Sequence, residues 1–259
     1  MDFKKRIFEP LEEGAFNALS LDIFNFQYKG NEIYRMYTDS IGVSPSNVTH
    51  YTKIPYLPVS FFKTHDVITG TAPPEKIFLS SGTTSTGSVT AVPEPVEGKS
   101  RHLIADLSVY DESLVKGFEN FYRPLQQYVI FALTPNPEQN PGSSLIYMIS
   151  KWISASDSMH SGFYLDRQEL MAERLMQCAR AKSRILIIGL SYALMDFAEE
   201  YPMDISRVVI METGGMKGKR QEMVREELHS FIAQRFHMER IDIHSEYGMT
   251  ELLSQAYSK

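Results

Sequence analysis

Glu246-Tyr247-Gly248-Met249-Thr250-Glu251 places an aromatic ring, a glycine, a hydroxyl and a carboxylate in consecutive positions, a combination suited to a nucleotide. The ring can stack on a base, the glycine lets backbone approach closely, the hydroxyl can meet a phosphate oxygen, and Glu251 can hold a divalent cation. The same stretch also fits an ordinary strand-to-helix connection, with Tyr247 a strand-end aromatic and Glu251 a carboxylate in the first helical turn.

Two other stretches carry complementary chemistry. Ser80-Ser81-Gly82-Thr83-Thr84-Ser85-Thr86-Gly87-Ser88 offers hydroxyls on a backbone able to form an anion-holding nest, which suits a polyphosphate; taken alone it also reads as a polar surface loop. Glu212-Thr213-Gly214-Gly215-Met216-Lys217-Gly218-Lys219-Arg220 has paired glycines against which a flat ligand can lie, or which simply make a sharp turn into the next helix. Its basic residues stand at the expected start of a helix, where the dipole disfavours them and an anion would be welcome. Neither is a P-loop. Gly82 to Gly87 has the right spacing but Ser88-Val89 follows where Lys-Ser/Thr is required, and Gly98-Lys99-Ser100 has Pro93 in place of the first glycine.

The elements that must position these stretches follow from periodicity. Phe16, Leu19, Ile23 and Phe26, then Tyr34, Tyr37 and Ile41, predict two N-terminal helices with aromatic inner faces. Pro55 and Pro58 predict an extended segment laid across the body. From Lys76 onward apolar runs alternate with amphipathic ones: Ile77–Leu79 then 103–121, Tyr128–Leu133 then 143–153, Ile185–Ile188 then 191–200, Val208–Met211 then about 221–236, and finally Ile241–Ile243. This predicts an α/β fold, an open and mostly parallel sheet flanked by helices. The expected organisation is one structural unit, with a helical and extended segment over 1–70 packing on a nucleotide-binding core over 71–259. Each chemical stretch then directly follows a strand, at the edge where such sheets bind ligands. The acidic, proline-rich stretch 92–98 reads as a mobile surface loop.

Composition limits the function classes. A net charge of −6 without a Lys/Arg block gives no footprint for nucleic acid. The apolar runs fall far short of the roughly 20 residues that span a bilayer, and the N-terminus has no apolar stretch of the kind a secretory signal needs. One cysteine, Cys178, excludes an internal disulfide framework. The expectation is a cytoplasmic protein with a small-molecule ligand. Cys178, in an amphipathic helix, is expected to be a structural thiol.

The ordered set of three stretches resembles the adenylate-forming superfamily of acyl-CoA synthetases, firefly-type luciferases and peptide-synthetase adenylation domains. More closely, Ser80–Thr84, Ser100-Arg101-His102, Met211–Gly218, His244–Gln255 and the proline segment Ile54–Pro58 resemble the acyl-protein synthetases of bacterial, bioluminescence-type fatty-acid reductase systems, near the phenylacetate-CoA ligases. The resemblance implies that Ser81, Gly82, Thr83 and Thr84 cradle the ATP phosphates and that Gly214 and Gly215 line the adenine and acyl pocket. It implies further that Tyr247 stacks on adenine beside Gly248, that Thr250 bonds a phosphate oxygen, and that Glu251 binds Mg²⁺.

The implied reaction is attack of a carboxylic acid, by the resemblance a fatty acid, on the α-phosphorus of ATP, giving pyrophosphate and an acyl-adenylate for transfer to a thiol. Thr250 and Glu251 are then the catalytic positions, and an acyl-reductase or other acyl-acceptor protein is the implied partner. Two departures are visible. The family's chain continues into a lid that supplies a ribose-binding aspartate and an adenylation lysine, whereas this sequence stops at Lys259, so the expectation is a chain without that lid and without its contribution to turnover; and Cys178 does not match the family's acyl-accepting cysteine. His102 is a minor candidate acid or base. Alternatives are a non-catalytic remnant that binds nucleotide or an acyl partner, an aryl-CoA ligase, and, disfavoured by the lysine-free first loop, a phosphotransferase.

Overall fold

The structure is a computed structural model that describes residues 3–80, 99–205 and 208–259. The chain divides into two compact units, Met1–Ser113 and Leu114–Lys259. Among the described residues no helix is long and apolar enough to cross a membrane.

The first unit begins with α1 (Phe3–Arg6), α2 (Glu13–Gly30) and α3 (Glu32–Ser40). Asn31 separates α2 from α3 and caps the latter, its Oδ1 accepting the Tyr34 amide at 3.0 Å. The two expected helices are therefore present, but their inner face differs from the one expected. Leu19, Phe24 and Tyr34 are buried with Val48, whereas Phe16, Phe26 and Ile41 are exposed. The proline segment 55–58 lies in no helix or strand. Ile54 and Leu57 pack on the Phe24–Tyr34 cluster, and the Tyr34 hydroxyl donates to the Pro55 carbonyl at 2.8 Å. After α4 (Phe61–Thr64), β1 (Lys76–Leu79) pairs antiparallel with β2 (Arg101–Ile104) in a sheet of their own. This corrects two expectations. β1 is not part of the parallel series, and Leu103 and Ile104 belong to a strand, so the helix that follows, α5 (Leu107–Glu119), starts later than predicted. Residues Ser81, Gly82, Thr83 and Thr84 and the 92–98 stretch lie outside the described residues.

The second unit is an α/β sandwich. Its strands are β3 (Tyr128–Leu133), β4 (Gly162–Phe163), β5 (Arg184–Leu190), β6 (Val208–Thr213), β7 (Ile243–Gly248) and β8 (Gln255–Ser258). They form one sheet in the order β4-β3-β5-β6-β7-β8, parallel except for the β7–β8 pair. The helices α6 (Ser144–Ala155), α7 (Gln168–Arg180), α8 (Ser191–Glu200) and α9 (Arg225–Phe236) connect the parallel strands. Every residue of β3 is buried, as is β5 from Ile185 to Leu190. Continuous apolar runs of this kind belong to strands covered on both faces.

Strand order explains the two layers. The β3-to-β4 crossover runs one way along the sheet and the later ones run the other way, so crossovers of one hand put α6 on one face and α7, α8 and α9 on the opposite face. The packing agrees. Phe131, Ile187, Ile210 and Ile243 form one rung across β3, β5, β6 and β7 and share a core with Leu175, Phe197 and Ile232 from α7, α8 and α9. Trp152 of α6 meets Phe118 instead, with ring centroids 4.8 Å apart. Cys178 is buried on α7, and burial pushes its thiol up, away from the reactive thiolate.

Two further boundaries differ from prediction. Ile241 and Asp242 lie in a short 3-10 turn, so β7 starts at Ile243 and runs through Gly248. α9 starts at Arg225, leaving Lys217, Lys219 and Arg220 in a loop and not at a helix start.

Candidate functional site

The rungs of the parallel sheet change character toward the carboxyl ends of its strands. Below Leu133–Gly189–Glu212–Ser245 the inner residues of β3, β5 and β6 are apolar, and β7 contributes His244; from that rung upward β6 and β7 carry Glu212, Thr213, Ser245 and Glu246 in buried or nearly buried positions. Alternation sends Glu212 and Ser245 to the α8–α9 face and Thr213 and Glu246 to the α6 face.

On the α8–α9 face, the Ser191 hydroxyl donates to Glu212 Oε2 at 3.0 Å, and His229 Nε2 of α9 stands 3.9 Å from Oε1, an ion-pair distance too long for a hydrogen bond. Burial opposes ionisation of Glu212, but the surrounding His229, Ser245 and Ser191 hold its carboxyl below the ordinary value. On the opposite face, Thr213 Oγ1 donates to Glu246 Oε2 at 2.6 Å. Glu246 is buried, and its carboxyl is pushed up to about 7 by desolvation, with the Glu212 charge adding to the rise and the Thr213 hydroxyl opposing it. His244 on the same face has partners at both ring nitrogens: Nδ1 meets the Tyr122 hydroxyl at 2.9 Å and Nε2 the Ile241 carbonyl at 3.0 Å. Those partners assign the neutral tautomer with Nε2–H donating, and burial lowers its affinity for a second proton.

The glycine loop leaves β6 directly above this cluster. Gly214 and Gly215 both have φ of +68°, the left-handed region that only glycine enters freely. They differ in surroundings. A Cβ on Gly214 would stand 2.7 Å from Leu190 Cδ2, while one on Gly215 would meet nothing within 4 Å. Gly214 is thus committed to packing, and Gly215 is the glycine with bare backbone facing open space. Met216 plugs the loop into the core, and Arg220 ties it to α8, its Nε donating to Asp196 Oδ1 at 2.7 Å with Glu199 as second partner. Arg220, one of the basic residues for which an anion was expected, is thus paired with carboxylates of α8.

The Tyr-Gly-x-Thr-Glu stretch departs most from expectation. Glu246, Tyr247 and Gly248 are the last residues of β7 and not a loop after it, and the described residues after them form no helix. Met249 to Ser254 instead turn the chain into the antiparallel strand β8, where Tyr247 pairs with Ala256 and Gly248 with Gln255. Tyr247 is 62% exposed, a ring available for stacking. Gly248 has a packing reason of its own, since an added Cβ would lie 2.8 Å from Glu246 Oε1. Thr250 and Glu251 sit partly buried on the turn. Thr250 Oγ1 lies 3.5 Å from Ser144 Oγ, in the first turn of α6, where Ser143 caps the helix through the Ile146 amide.

The structure thus brings together Gly214, Gly215, Tyr247 and Gly248 at the ends of neighbouring parallel strands, with Thr250 at a helix N-terminus that favours anions. Ser81, Gly82, Thr83 and Thr84 lie outside the described residues. His102 lies on β2, its ring edge-on to Phe62 at 5.5 Å. Glu251 fits magnesium in kind, because that ion bound with a nucleotide typically takes one or two carboxylates and completes its shell with phosphate oxygens and water. Among the described residues no three His, Cys, Asp or Glu side chains gather as a metal cage.

Sequence reasoning missed the roles of Glu212, Thr213, Ser245 and Glu246. A signal was present: an apolar run such as Val208–Met211 that ends in Glu-Thr carries its polar residues into a buried strand end. None of the protein families, curated proteins or solved structures compared with the chain matches it.

Proposed function

We propose that the chain activates a carboxylic acid with ATP, forming an acyl-adenylate and pyrophosphate. The observation that carries this reading is the meeting of two motifs on adjacent strands. β6 and β7 pair up to Glu212–Ser245 and the Thr213 hydroxyl reaches Glu246 one residue on, so the loop that carries the bare backbone of Gly215 and the strand end that carries the exposed ring of Tyr247 leave neighbouring strands at one edge. A purine stacked on Tyr247 suits that edge.

Thr250, held against Ser144 at the start of α6, would bond a phosphate oxygen. Glu251 would hold the Mg²⁺ that, when bound, neutralises charge on the phosphates. In-line displacement at the α-phosphorus asks the protein for positioning and charge stabilisation and needs no nucleophilic side chain. A fatty acid as substrate and a thiol as acceptor follow from the resemblance to acyl-protein synthetases. The test is isotope exchange between ATP and pyrophosphate across a panel of aliphatic and aryl carboxylic acids. Acid-dependent exchange supports the reading; ATP binding with no exchange for any acid would move the function to nucleotide binding alone.

A further inference from the structure

The backbone pairing of β6 with β7 ends at Glu212–Ser245, one residue short of the point where the two strands part. β6 there turns away through Gly214, and β7 continues to Gly248 alongside β8. At the next level the link is made by side chains, with Thr213 Oγ1 donating to Glu246 Oε2 at 2.6 Å. The same carboxylate lies over the backbone of Gly248, its Oε1 2.8 Å from where a Cβ would stand. One buried group therefore touches the root of the glycine loop and the Tyr247–Gly248 strand end together.

A carboxylate is an expensive choice for such a place. Glu246 is 6% exposed, and a buried acid is retained against its desolvation penalty where it has work to do, since an apolar pair would serve packing as well. Resting on the adenylate-forming reading above, we propose that Glu246 is a positioning residue of the nucleotide site: its hydrogen bond from Thr213 locks the glycine loop to the Tyr247–Gly248 strand end, so that both present one preformed surface to the nucleotide.

The groups that act on this carboxyl are Thr213, which donates to it, Glu212, whose charge reaches it from the other face of the sheet, and Tyr257, its pairing partner on β8. The bond from Thr213 is strongest to the ionised acceptor, and the carboxyl titrates at about 7. The lock tightens as pH rises through that value.

The test is ATP affinity by calorimetry between pH 5.5 and 8.5 for the full chain and for Glu246→Gln, Thr213→Val, Thr213→Ser and the Glu246→Gln/Thr213→Val double variant. Each variant is read as a ratio to the unaltered protein, which cancels titration of the nucleotide itself. At pH 8 Glu246→Gln and Thr213→Val are each expected to bind ATP on the order of tenfold more weakly, the size of one charge-assisted hydrogen bond. The double variant is expected to be no worse than either single one, and Thr213→Ser to keep the affinity. At pH 5.5 the Glu246→Gln ratio is expected to approach one. Hydrogen exchange, read without ligand, is expected to rise at 213–216 and 246–248 alike in both weakened variants.

Unchanged affinity in both single variants while the unaltered protein binds ATP, or additive losses with a ratio flat in pH, overturns the positioning role and leaves the adenylate-forming reading standing. No ATP binding by the unaltered protein at any pH overturns that reading and this inference with it. If Glu246→Gln does not fold, the Thr213→Val and Thr213→Ser pair decides by the same criteria.

Discussion

Glu251 and Glu246 stand five residues apart and live in opposite environments, and each supports a prediction of a different kind. Glu251 is on a turn, partly exposed, and its proposed work is on a cation. Glu251→Gln is expected to weaken magnesium-dependent ATP binding about tenfold or more while moving the melting temperature by little, because a surface substitution usually costs within about 0.5 kcal/mol. Calorimetry with and without Mg²⁺, beside a thermal melt, separates the two; a large drop in stability would show that Glu251 holds the hairpin. Glu246 is buried, and its carboxyl value of about 7 lies above the ordinary 4.5. A raised value means that the folded chain binds the proton more tightly than the unfolded one. The associated stability is fully present below about pH 4.5 and is lost as pH rises through 7. The loss is on the order of 3 kcal/mol at most. Urea titrations at pH 5 and pH 8 are expected to show Glu246→Gln losing less stability than the unaltered protein over that interval; equal losses would place the titrating group elsewhere.

At the scale of elements, glycine positions separate packing from function. Gly189 of β5 pairs with Leu133 of β3, and a Cβ there would lie 2.9 Å from Leu133 Cβ and 3.0 Å from Leu194 Cγ of α8. Gly189→Ala is therefore expected to cost about 1–3 kcal/mol by overpacking, seen as a lower urea midpoint with unchanged slope. Gly215 has open space around it but a left-handed φ. Gly215→Ala is expected to cost about 1 kcal/mol from backbone strain and, if a nucleotide lies on that backbone, to weaken ATP binding further than Gly189→Ala does. ATP affinity measured for both variants checks this. The alternation of strands and helices was legible in the sequence because Tyr128–Leu133, Ile185–Ile188 and Val208–Met211 are apolar runs of strand length. The two-residue strand Gly162–Phe163 was not, since so short an edge strand has no periodicity of its own and exists through pairing with Phe131 and Ala132. Nor was β8, whose Gln255-Ala256-Tyr257-Ser258 owes its extended form to pairing with β7.

Across the whole molecule the single tryptophan is a selective reporter. Trp152 is fully buried in the second unit, its Nε1 donating to the Leu114 carbonyl at 3.0 Å and its ring against Phe118. Its native emission is expected to be blue-shifted and poorly quenched by acrylamide, and to shift red only when the Leu114–Lys259 unit unfolds. Comparison with far-UV circular dichroism, which follows both units, then shows whether they unfold in one transition; strong quenching in the native state would place Trp152 nearer the surface.

The sequence by itself determined the fold class, because the period of apolar residues is a local property: β-branched and aromatic runs make buried strands, and amphipathic stretches between them make the covering helices. It also raised the expectation, carried into the proposal above, that Gly214, Gly215, Tyr247, Gly248, Thr250 and Glu251 serve a nucleotide. Only the tertiary structure decided which strands neighbour one another, and with it that β1 pairs with β2 outside the parallel sheet, that the Tyr247 strand ends in a hairpin, and that Thr213 reaches Glu246. Those facts depend on contacts between residues tens of positions apart, whose energies come from register and burial and leave no periodic trace along the chain.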